Sequence, residues 1–385
     1  MYTAASPYFQ EAEAEFDLPK AAPKRLYLIP VLSKALDILE LLQTDNRPQS
    51  LEAIYEQTNI SKTTVYRILK TLVHRGYLAQ TQDGLYRIVS RPRKIRFGFG
   101  SESSEMPFSV DVTKSLKVAA ASAGVDLIVL DNRYNAAAAL ENADEFVRQR
   151  VDLVIEFQID EHVAPMIADK VHGAGIPLIA VDIPHPHATY FGVDNYRVGF
   201  EAGEFLAQHA KSAWNGSVNW VLGLGIAEAG PLVQSRITGA FAGVRSRLPH
   251  LRDDAFVSLD GEGLPEKSYR LVREFLRKHP GDRGVLIAAA TDTSALGALK
   301  SVRELRREAH VAIVGQDCID EALEEMSMPG TPFIGSVSHE ASSYGPRLVH
   351  IGLALLNGQT VPPYNYVDHK LIAASSLTRR ARAAR

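Results

Sequence analysis

The stretch PQSLEAIYEQTNISKTTVYRILKTLVHRGYLAQTQDGLYRI, residues 48–88, contains two helix patterns followed by a short strand pair. Ser50 is placed to cap the helix LEAIYEQT, and Ser61 is placed to cap the helix KTTVYRILKTLVHRG. Asp83-Gly84 between two short alternating strands is a strong hairpin signal. Two helices and a hairpin in this order predict the main part of a winged helix-turn-helix.

A further helix is predicted directly before this stretch. The segment PVLSKALDILELL, residues 30–42, has apolar residues at helical spacing, and Ser33 is placed to cap it. The turn DNRP at residues 45–48 ends it. Its predicted inward face consists of Leu32, Ala35, Leu36, Leu39 and Leu42.

The helix that follows Ser61 has two chemically different faces. One face is an apolar stripe that packs inward, formed by Val65, Ile68, Leu69, Leu72 and Val73. The other face carries hydroxyl, aromatic and cationic side chains, and no acidic residue lies between Ser61 and Arg75. Such a helix suits the major groove of DNA, where its first residues meet base edges and its cations meet phosphates.

The residues predicted to contact DNA follow from that second face and from the hairpin. On the helix they are Ser61, Lys62, Thr63, Thr64, Tyr66, Arg67, Lys70 and Thr71. Arg87 and the hairpin tip are expected along the DNA backbone or in the minor groove. Double-stranded DNA is therefore the predicted partner, and recognition of palindromic sites favours a homodimer.

Residues 30–89 resemble the DNA-binding domain of IclR-type regulators. The matching segments are PVLSKALDILELL, PQSLEAIYEQTNISKTTVYRILKTLVHRGYL and the closing GLYRI. The resemblance implies a winged helix-turn-helix that binds specific DNA sites. The alternative for the same pattern is a three-helix module that binds another protein.

Charge divides unevenly along the chain. Residues 20–96 carry 14 Lys and Arg against 6 Asp and Glu, whereas residues 97–376 carry 24 against 35. A basic module joined to an acidic one favours a polyanion as partner of the first and a different partner for the second. The alternative is uneven surface charge without a function.

The composition of the 385-residue chain, 46% hydrophobic and 23% charged, is typical of a soluble globular protein with two or three domains. No run reaches the roughly 18 apolar residues that a membrane span needs. The first residues lack the apolar segment of a secretory signal, and the single Cys318 cannot form an internal disulfide or a zinc cluster. These features predict a cytoplasmic protein without a metal or a cofactor.

From Ile95 onward the pattern becomes typical of a parallel sheet. Short apolar runs alternate with helix patterns of about 12–18 residues, as in βαβ units. The runs are IRFGFG, VDLIVLD, VDLVIEF, IPLIAVD, VNWVLGLG, GVLIAAA and HVAIVG. Ser101 and Glu102 follow the first run, and Asp182 and Asp317 close later ones. Because ligands of open α/β sheets bind at the carboxyl ends of the strands, this predicts an α/β fold with a ligand site there.

Residues 95–375 resemble the effector domain of LacI regulators and ribose-binding proteins, the type 1 periplasmic-binding-protein fold. The landmarks follow in the expected order: IRFGFGSESSEMPF, GAGIPLIAVD, FGVDNYRVGFEAGEFLA, SRITGAFAGV, ATDTSALGALKSV, VAIVGQD and GSVSHEASSYG. The resemblance implies two lobes with parallel sheets that close on a small ligand. This is a departure from IclR regulators, whose effector domain usually has a long antiparallel sheet.

Position by position, the same resemblance implies six ligand contacts, which are Phe108, Asp182, Arg236, Thr291, Asp317 and His339. Phe108 would stack on an apolar ring face, the two aspartates would accept hydroxyl hydrogens, and Arg236 would donate a forked pair of hydrogen bonds. Two positions depart from the ribose-binding pattern: Ile183 replaces an arginine, and no aromatic residue aligns near Gly263. The implied ligand is a sugar, a modified sugar or another polar metabolite.

For several polar residues, a structural role is the alternative to a role in binding or catalysis. An aspartate at a strand end often caps the next helix, and Asp292 fits that role better than ligand binding. His185 and His187 lie in a proline-rich loop and are predicted to be surface residues rather than metal ligands. The segment GLGIAEAG, residues 223–230, only partly matches the dinucleotide motif, and no P-loop or nucleophile elbow is present, so no enzyme is predicted.

The predicted domain plan has four parts. They are a disordered tail (residues 1–29), a DNA-binding domain (30–91), a ligand-binding domain (92–376) and a basic tail (377–385). Within the ligand-binding domain, lobe one is expected at about 94–195 and 340–366, and lobe two at about 196–339 and 367–376. This plan predicts a ligand-responsive transcriptional regulator. The alternatives are a carbohydrate-related enzyme or a solute-binding protein with a fused DNA-binding module.

Overall fold

The computed structural model describes residues 29–45, 47–89 and 94–377. The chain divides into two units, Met1–Arg93 and Lys94–Arg385. Most of the predicted tails at either end and residues 90–93, which connect the two units, lie outside the described residues. The finer domain and lobe boundaries given above stay predictions.

The first unit is the predicted winged helix-turn-helix. It contains α1 (Pro30–Asp45), α2 (Leu51–Gln57) and α3 (Lys62–His74), followed by the antiparallel strands β1 (Leu78–Gln80) and β2 (Tyr86–Ile88). Its buried core includes Ile54, Val65, Leu69, Leu78 and Tyr86. The core side of α3 is therefore the predicted apolar stripe, and its other side faces solvent.

The predicted caps of α2 and α3 differ in outcome. The Ser50 hydroxyl accepts a hydrogen bond from the Ala53 N–H at 3.1 Å and caps α2, as predicted. Ser61 precedes α3, but its hydroxyl lies 2.8 Å from the Thr64 hydroxyl and caps no backbone N–H. The side-chain cap predicted for Ser61 is therefore wrong, because the neighbouring threonine competes for the serine hydroxyl.

The inward face of α1 also differs from the prediction. Ile38 and Leu42 are buried, whereas Leu32 is 53% exposed and Leu36 is 49% exposed. The helix begins at Pro30, so Ser33 lies inside its first turn and is not a cap. Apolar residues occur around most of this helix, so their spacing alone does not determine which face of the helix is buried.

The second unit contains two six-stranded sheets. The strands of the first sheet are β3 (Arg96–Ser101), β4 (Asp126–Asp131), β5 (Leu153–Phe157), β6 (Leu178–Val181), β7 (Thr189–Gly192) and β13 (Tyr364–Tyr366). They lie in the order β13-β7-β6-β5-β3-β4, and all neighbours are parallel. The helices of this part of the chain are α4 (Pro107–Ser122), α5 (Ala136–Arg148), α6 (Ala164–Gly173) and α12 (Ala341–Leu356). We call this assembly lobe one.

Lobe two is built in the same way around the second sheet. Its strands are β8 (Trp220–Gly225), β9 (Phe256–Asp260), β10 (Val285–Ala289), β11 (Val311–Asp317), β12 (Phe333–Ser338) and β14 (Lys370–Ala373). They lie in the order β14-β12-β11-β10-β8-β9, and only β14 runs antiparallel to its neighbour. Its helices are α7 (Asn195–Trp214), α8 (Gly230–Arg247), α9 (Pro265–Lys278), α10 (Asp292–Glu304) and α11 (Asp320–Met326).

The described chain passes between the lobes three times, after β7, after β12 and after β13. The carboxyl ends of parallel strands lie at the same edge of their sheet. The loops that follow the strands of each lobe therefore lie along one edge of that lobe. The fold therefore brings side chains from distant parts of the sequence to the boundary between the lobes.

Helices α7 and α8 pack unusually close to one another. Gly199 and Gly203 lie four residues apart on α7, and Gly239 and Gly243 are spaced in the same way on α8. A Cβ atom at Gly203 would lie 2.0 Å from the carbonyl oxygen of Ala240, and one at Gly239 would lie 2.2 Å from that of Tyr196. Only glycine permits this backbone contact, which fixes α8 against the start of α7.

Gly203→Ala is expected to lower the free energy of unfolding by about 3 kcal/mol, because the added methyl group forces the two helix backbones apart. The measurement is urea denaturation followed by circular dichroism. Gly173→Ala in α6 is the matched control, since a Cβ atom there meets nothing within 4 Å. The control should be neutral or slightly stabilising, and an equal loss in both variants would contradict the close packing.

Candidate functional site

A cavity lies between the two lobes at the carboxyl ends of their strands. It encloses about 70 Å³. Its polar lining consists of Glu102, Tyr134, Gln158, Asp182, Arg236, Thr291, Thr293 and Asp317. Its apolar lining includes Met106, Phe108, Phe157, Ile159, Ile183, Ile226, Val233 and Ile319. Convergent polar groups on an apolar wall are typical of small-molecule sites.

The cavity brings together five of the six residues predicted to contact a ligand. Phe108 lies in the first turn of α4, Asp182 follows β6, and Asp317 ends β11. Thr291 precedes α10, and Arg236 projects from α8. Their direct contact with a ligand stays a prediction, but the fold gathers them from both lobes into one wall.

Asp182 and Asp317 have unusual backbone conformations. Their φ angles are 60° and 110°, in the region that favours glycine. Such strain concentrates at binding sites, where the surrounding structure holds a side chain in a required place. Asp182 is 8% exposed, and its Oδ1 atom has no hydrogen-bond partner among the described residues. A Cβ atom at Gly192 would lie 2.5 Å from that oxygen, so the fold leaves room for the carboxylate by placing glycine there.

Arg236 is held rigidly at the cavity wall. Its Nε atom donates to Asn195 Oδ1 at 2.6 Å, and its Nη1 atom donates to the carbonyl oxygen of Ala290 at 3.0 Å. The residue is 5% exposed. These bonds fix the plane of the guanidinium group, and its remaining N–H groups have no partner within the described part of the chain.

His339 is the one of the six predicted contacts that does not line the cavity. It is fully buried behind the wall, with Nδ1 at 3.3 Å from Asp317 Oδ1 and Nε2 at 3.1 Å from Gln316 Oε1. Its ring meets that of Phe108 edge-on, with 5.9 Å between centroids. Burial lowers the pKa of His339, so the imidazole is neutral at pH 7. The geometry makes it a support for Asp317 and Phe108.

The predicted capping role of Asp292 is wrong. Thr291 caps α10, because its hydroxyl accepts a hydrogen bond from the Ser294 N–H at 3.2 Å. Asp292 is the first residue of the helix, and its carboxylate is buried, accepting from the Ser336 hydroxyl at 2.7 Å and the Ile319 N–H at 3.1 Å. Burial raises the pKa of Asp292 well above its usual value. Asp292 therefore ties three strand-end segments of lobe two together.

Four polar lining residues were not predicted as ligand contacts, namely Glu102, Tyr134, Gln158 and Thr293. The Tyr134 hydroxyl donates to the carbonyl oxygen of Glu262 at 2.8 Å, so a side chain of lobe one reaches lobe two. It lies beside Gly263, where a Cβ atom would be 2.5 Å from the hydroxyl. An aromatic side chain therefore lies beside Gly263 after all, but it comes from a distant part of the sequence.

A second backbone contact joins the lobes near the same place. The N–H of Glu161 in lobe one donates to the carbonyl oxygen of Glu228 in lobe two at 2.9 Å. Gln158, the residue directly after β5, is 3% exposed, and its Nε2 atom has no partner among the described residues. The lobes are therefore in contact around a cavity that still offers unpaired polar groups.

The surface location predicted for His185 is wrong. His185 is 6% exposed, its Nδ1 atom lies 2.8 Å from the carbonyl oxygen of Ile183, and burial lowers its pKa to about 4. His187 is exposed as predicted and stacks on His172 with 4.8 Å between centroids. The proline-rich loop therefore buries the first histidine and leaves the second exposed.

Glu156 is a buried carboxyl group in β5, outside the cavity lining. Asn132 Nδ2 donates to its Oε1 atom at 2.8 Å, while Oε2 has no partner among the described residues. Burial raises its pKa from 4.5 to about 8, although the Asn132 bond acts in the opposite direction. The folded protein therefore holds this carboxyl group in its protonated form at neutral pH.

The raised pKa of Glu156 predicts a stability that depends on pH. Its stabilising contribution is fully present below the unfolded pKa and is lost as the pH rises toward about 8. The loss is at most about 1.4 kcal/mol per pH unit in that window. Glu156→Gln cannot ionise, so its stability relative to the wild type should rise steadily from pH 5 to pH 8 in urea denaturation. A constant difference across that range would show that Glu156 does not titrate as proposed.

The predicted DNA-binding face of α3 is accessible in the first unit. Thr64 is half-buried, and the other predicted residues are exposed: Ser61, Lys62, Thr63, Tyr66, Arg67, Lys70, Thr71 and Arg87. Lys62 Nζ lies 2.8 Å from a Glu52 carboxylate oxygen, and Lys70 Nζ donates to Gln80 Oε1 at 3.1 Å. Exposed contacts of this kind are worth little, so both cations remain available to phosphates.

Comparison with known protein families gives a match for each of the two units. Residues 97–360 match the family model of the periplasmic binding protein domain. The chain belongs to the periplasmic binding protein family. Residues 31–82 of this family member match the IclR helix-turn-helix domain. The predicted combination of the two families is thereby confirmed.

Solved structures share the fold of the periplasmic binding protein domain. An ABC transporter solute-binding protein from Actinobacillus succinogenes with bound D-allose is 19% identical, with a TM-score of 0.64 over 74% of this chain and 100% of that chain. A protein from Mycobacterium smegmatis in complex with β-D-fucofuranose is 23% identical, with a TM-score of 0.65 over 75% and 96%. A solute-binding protein from Bacillus halodurans with bound myo-inositol is 18% identical, with a TM-score of 0.63 over 76% and 99%.

A comparison with curated proteins and a search for membrane-spanning helices both gave negative results. A search of curated protein sequences returned no match to this chain. Among the residues that the structure describes, no helix is long and apolar enough to cross a membrane.

Proposed function

We propose that this protein is a transcriptional regulator. It binds operator DNA as a homodimer through α3 and the hairpin, and it senses a small hydroxylated ligand, a sugar or related polyol, in the cavity between the lobes. The observation that carries the proposal is the presence of both parts in one chain: an IclR helix-turn-helix domain and a periplasmic binding protein domain with a polar cavity. A protein that binds operator DNA works where the chromosome is, which in bacteria means the cytoplasm.

The chemistry of α3 supports the DNA-binding part of the proposal. Its exposed face presents cations, hydroxyl groups and the aromatic ring of Tyr66, while Val65 and Leu69 anchor the opposite face in the core. Lys70 Nζ lies 5.7 Å from the centroid of the Tyr66 ring. The exposed Arg67 is suited to base edges, and Lys70 is suited to phosphates.

The cavity supports the ligand-sensing part. Asp182, Asp317 and Gln158 can accept or donate hydrogen bonds to hydroxyl groups, and Phe108 offers a flat apolar face. Several solved relatives of this fold hold D-allose, β-D-fucofuranose or myo-inositol. A ligand that contacts both lobes stabilises the closed arrangement, because it binds that state more tightly than an open one.

Two binding measurements test the proposal together. In gel-shift titrations, the full chain should prefer DNA from upstream of its own gene over unrelated DNA by roughly 10³-fold or more, with affinity falling as salt rises. In a thermal-shift screen of sugars and polyols, a ligand at 100 times its Kd should stabilise the fold by about 2.7 kcal/mol. Equal affinity for unrelated DNA, or turnover of a bound sugar, would favour a solute-binding protein or an enzyme instead.

A further inference from the structure

The charged groups that line the cavity are unbalanced. Glu102, Asp182 and Asp317 supply three carboxylates, whereas Arg236 supplies the single cation of the lining. His339, behind the wall, adds no positive charge at pH 7 because burial lowers its pKa. Such a lining favours a ligand with a positively charged group, because an adjacent cation stabilises the ionised form of a carboxyl group.

A neighbouring depression is also lined by acidic groups. It shares Tyr134, Ile159 and Ile226 with the cavity and is lined by Glu228 and Glu262 as well. Glu262 is paired with Lys267, but no ion pair joins Glu228 to a cation among the described residues. Glu228 therefore adds an acidic group without a cationic partner close to the cavity.

The single cation of the lining is largely committed to the protein itself. The Nε and Nη1 atoms of Arg236 already donate to Asn195 and Ala290. A phosphate or carboxylate ligand would compete for the few N–H groups that remain, beside three carboxylates. The cavity is therefore unfavourable for sugar phosphates and sugar acids.

Glu102 is the carboxylate without a structural role. It follows β3 and lines the cavity, and its side chain has no hydrogen bond or ion pair within the described part of the chain. Burial and the neighbouring charges of Asp182 and Asp317 raise the pKa of Glu102 to about 8. An adjacent cation would stabilise its ionised form and remove the cost of holding three carboxylates together.

Two further groups show that the site is built for a polar ligand. Asp182 Oδ1 and Gln158 Nε2 have no partner among the described residues, and both side chains are more than nine-tenths buried. Buried polar groups without partners are costly, so they point to a ligand that supplies hydroxyl groups. The ligand therefore combines hydroxyl groups with positive charge.

We propose that the cavity binds a small polyhydroxylated compound with a protonated amine, an amino sugar or amino polyol, whose ammonium group contacts the carboxylate of Glu102. This inference rests on the proposed function of the cleft as a ligand sensor and narrows its ligand class. The hydroxyl groups of the compound contact Asp182, Asp317 and Gln158, and its ring or chain lies against Phe108.

The test measures binding by thermal shift and isothermal titration calorimetry with the full chain at pH 7. The probes are glucosamine, galactosamine and mannosamine, each beside its parent sugar, its N-acetyl form and the 6-phosphate of the parent, and 1-amino-1-deoxyglucitol beside glucitol. At least one amine should bind about tenfold or more tightly than its parent and its N-acetyl form, as one charge-assisted hydrogen bond provides. The phosphates should bind no more tightly than the parents.

Glu102→Gln should reduce the ratio of amine to parent affinity about tenfold. Glu105→Gln in the same loop is the matched control, because Glu105 is exposed and does not line the cavity. Thermal melting without ligand confirms that both variants fold. The proposal is overturned if no amine binds, if a parent or a phosphate binds at least as tightly as its amine, or if Glu102→Gln leaves the ratio unchanged. Tight binding of a neutral sugar would overturn only this inference. Absence of site-specific DNA binding would overturn only the proposal that the protein is a transcriptional regulator.

Discussion

Replacing Arg236 with lysine is expected to weaken binding of the cleft ligand about 100-fold, or ~2.8 kcal/mol. The Arg236 side chain is buried, and its bonds to Asn195 and Ala290 hold the guanidinium plane at the cavity wall. Lysine keeps the positive charge near Asp182, which protects the fold, but its compact ammonium group lacks the planar fork that spans the Asn195 and Ala290 acceptors and faces the ligand. The variant should therefore fold and lose ligand affinity.

Isothermal titration with the ligand that the thermal-shift panel identifies measures this effect. Arg245→Lys is the matched control on the same helix, because Arg245 is partly exposed, lies outside the cavity lining and pairs with Asp253 at 2.6 Å. The control should bind the ligand as the wild type does. Similar affinities for the Arg236 and Arg245 variants would show that the ligand binds elsewhere.

The double substitution Arg67→Ala and Lys70→Ala is expected to lower the affinity for operator DNA about 100-fold at physiological salt. Both side chains are exposed on the outer face of α3, so their removal leaves the core of the winged helix intact. If both contact phosphates, the slope of log affinity against log salt should fall by about 1.8, since each lost phosphate contact removes about 0.9. A smaller change in slope with relaxed sequence preference would assign Arg67 to a base edge.

Arg148→Ala with Lys211→Ala is the control for net charge. This pair removes the same charge from exposed positions on α5 and α7 of the second unit. Fluorescence anisotropy with labelled operator DNA should show little change for the control. If both double variants lose affinity equally, binding depends on overall charge and α3 is not the recognition helix.

The winged helix-turn-helix was predictable because its signals are local. Caps, helical spacing and the Asp83-Gly84 turn all lie within a few residues of the structure that they specify. The rotation of α1 was not predictable, because apolar residues surround the helix and only packing into the core of the first unit decides which of them are buried. Local sequence patterns thus predict a helix or strand more reliably than they predict which of its residues pack against the rest of the fold.

The two sheets show the same limit. The seven apolar runs correspond to β3, β4, β5, β6, β8, β10 and β11, which are mostly central strands buried on both faces. The edge strands β9, β13 and β14 were not singled out, because they are short and partly exposed and lack a continuous apolar run. The antiparallel direction of β14 depends on the last crossing between lobes, which no local pattern encodes.

The candidate site could be predicted only in part, for a related reason. Asp182 and Asp317 were identified because they stand at strand ends, where the fold class itself places ligands. Tyr134 was not, because it meets Gly263 only after the lobes come together. Thr291 takes the capping role that was expected of Asp292, because α10 begins one residue earlier than that role requires. The excess of carboxyl groups over cations in the cavity lining likewise becomes visible only when both walls are assembled.

The most direct test of the central claim is the affinity of the full chain for its operator DNA with and without saturating ligand. Ligand in the cleft is expected to change the DNA Kd at least tenfold, in line with typical allosteric coupling of about 1–3 kcal/mol. The Arg236→Lys variant at the same ligand concentration should show no such change while it binds DNA normally. An unchanged DNA Kd with the cleft demonstrably occupied would contradict the claim that this chain couples a ligand sensor to a DNA-binding domain.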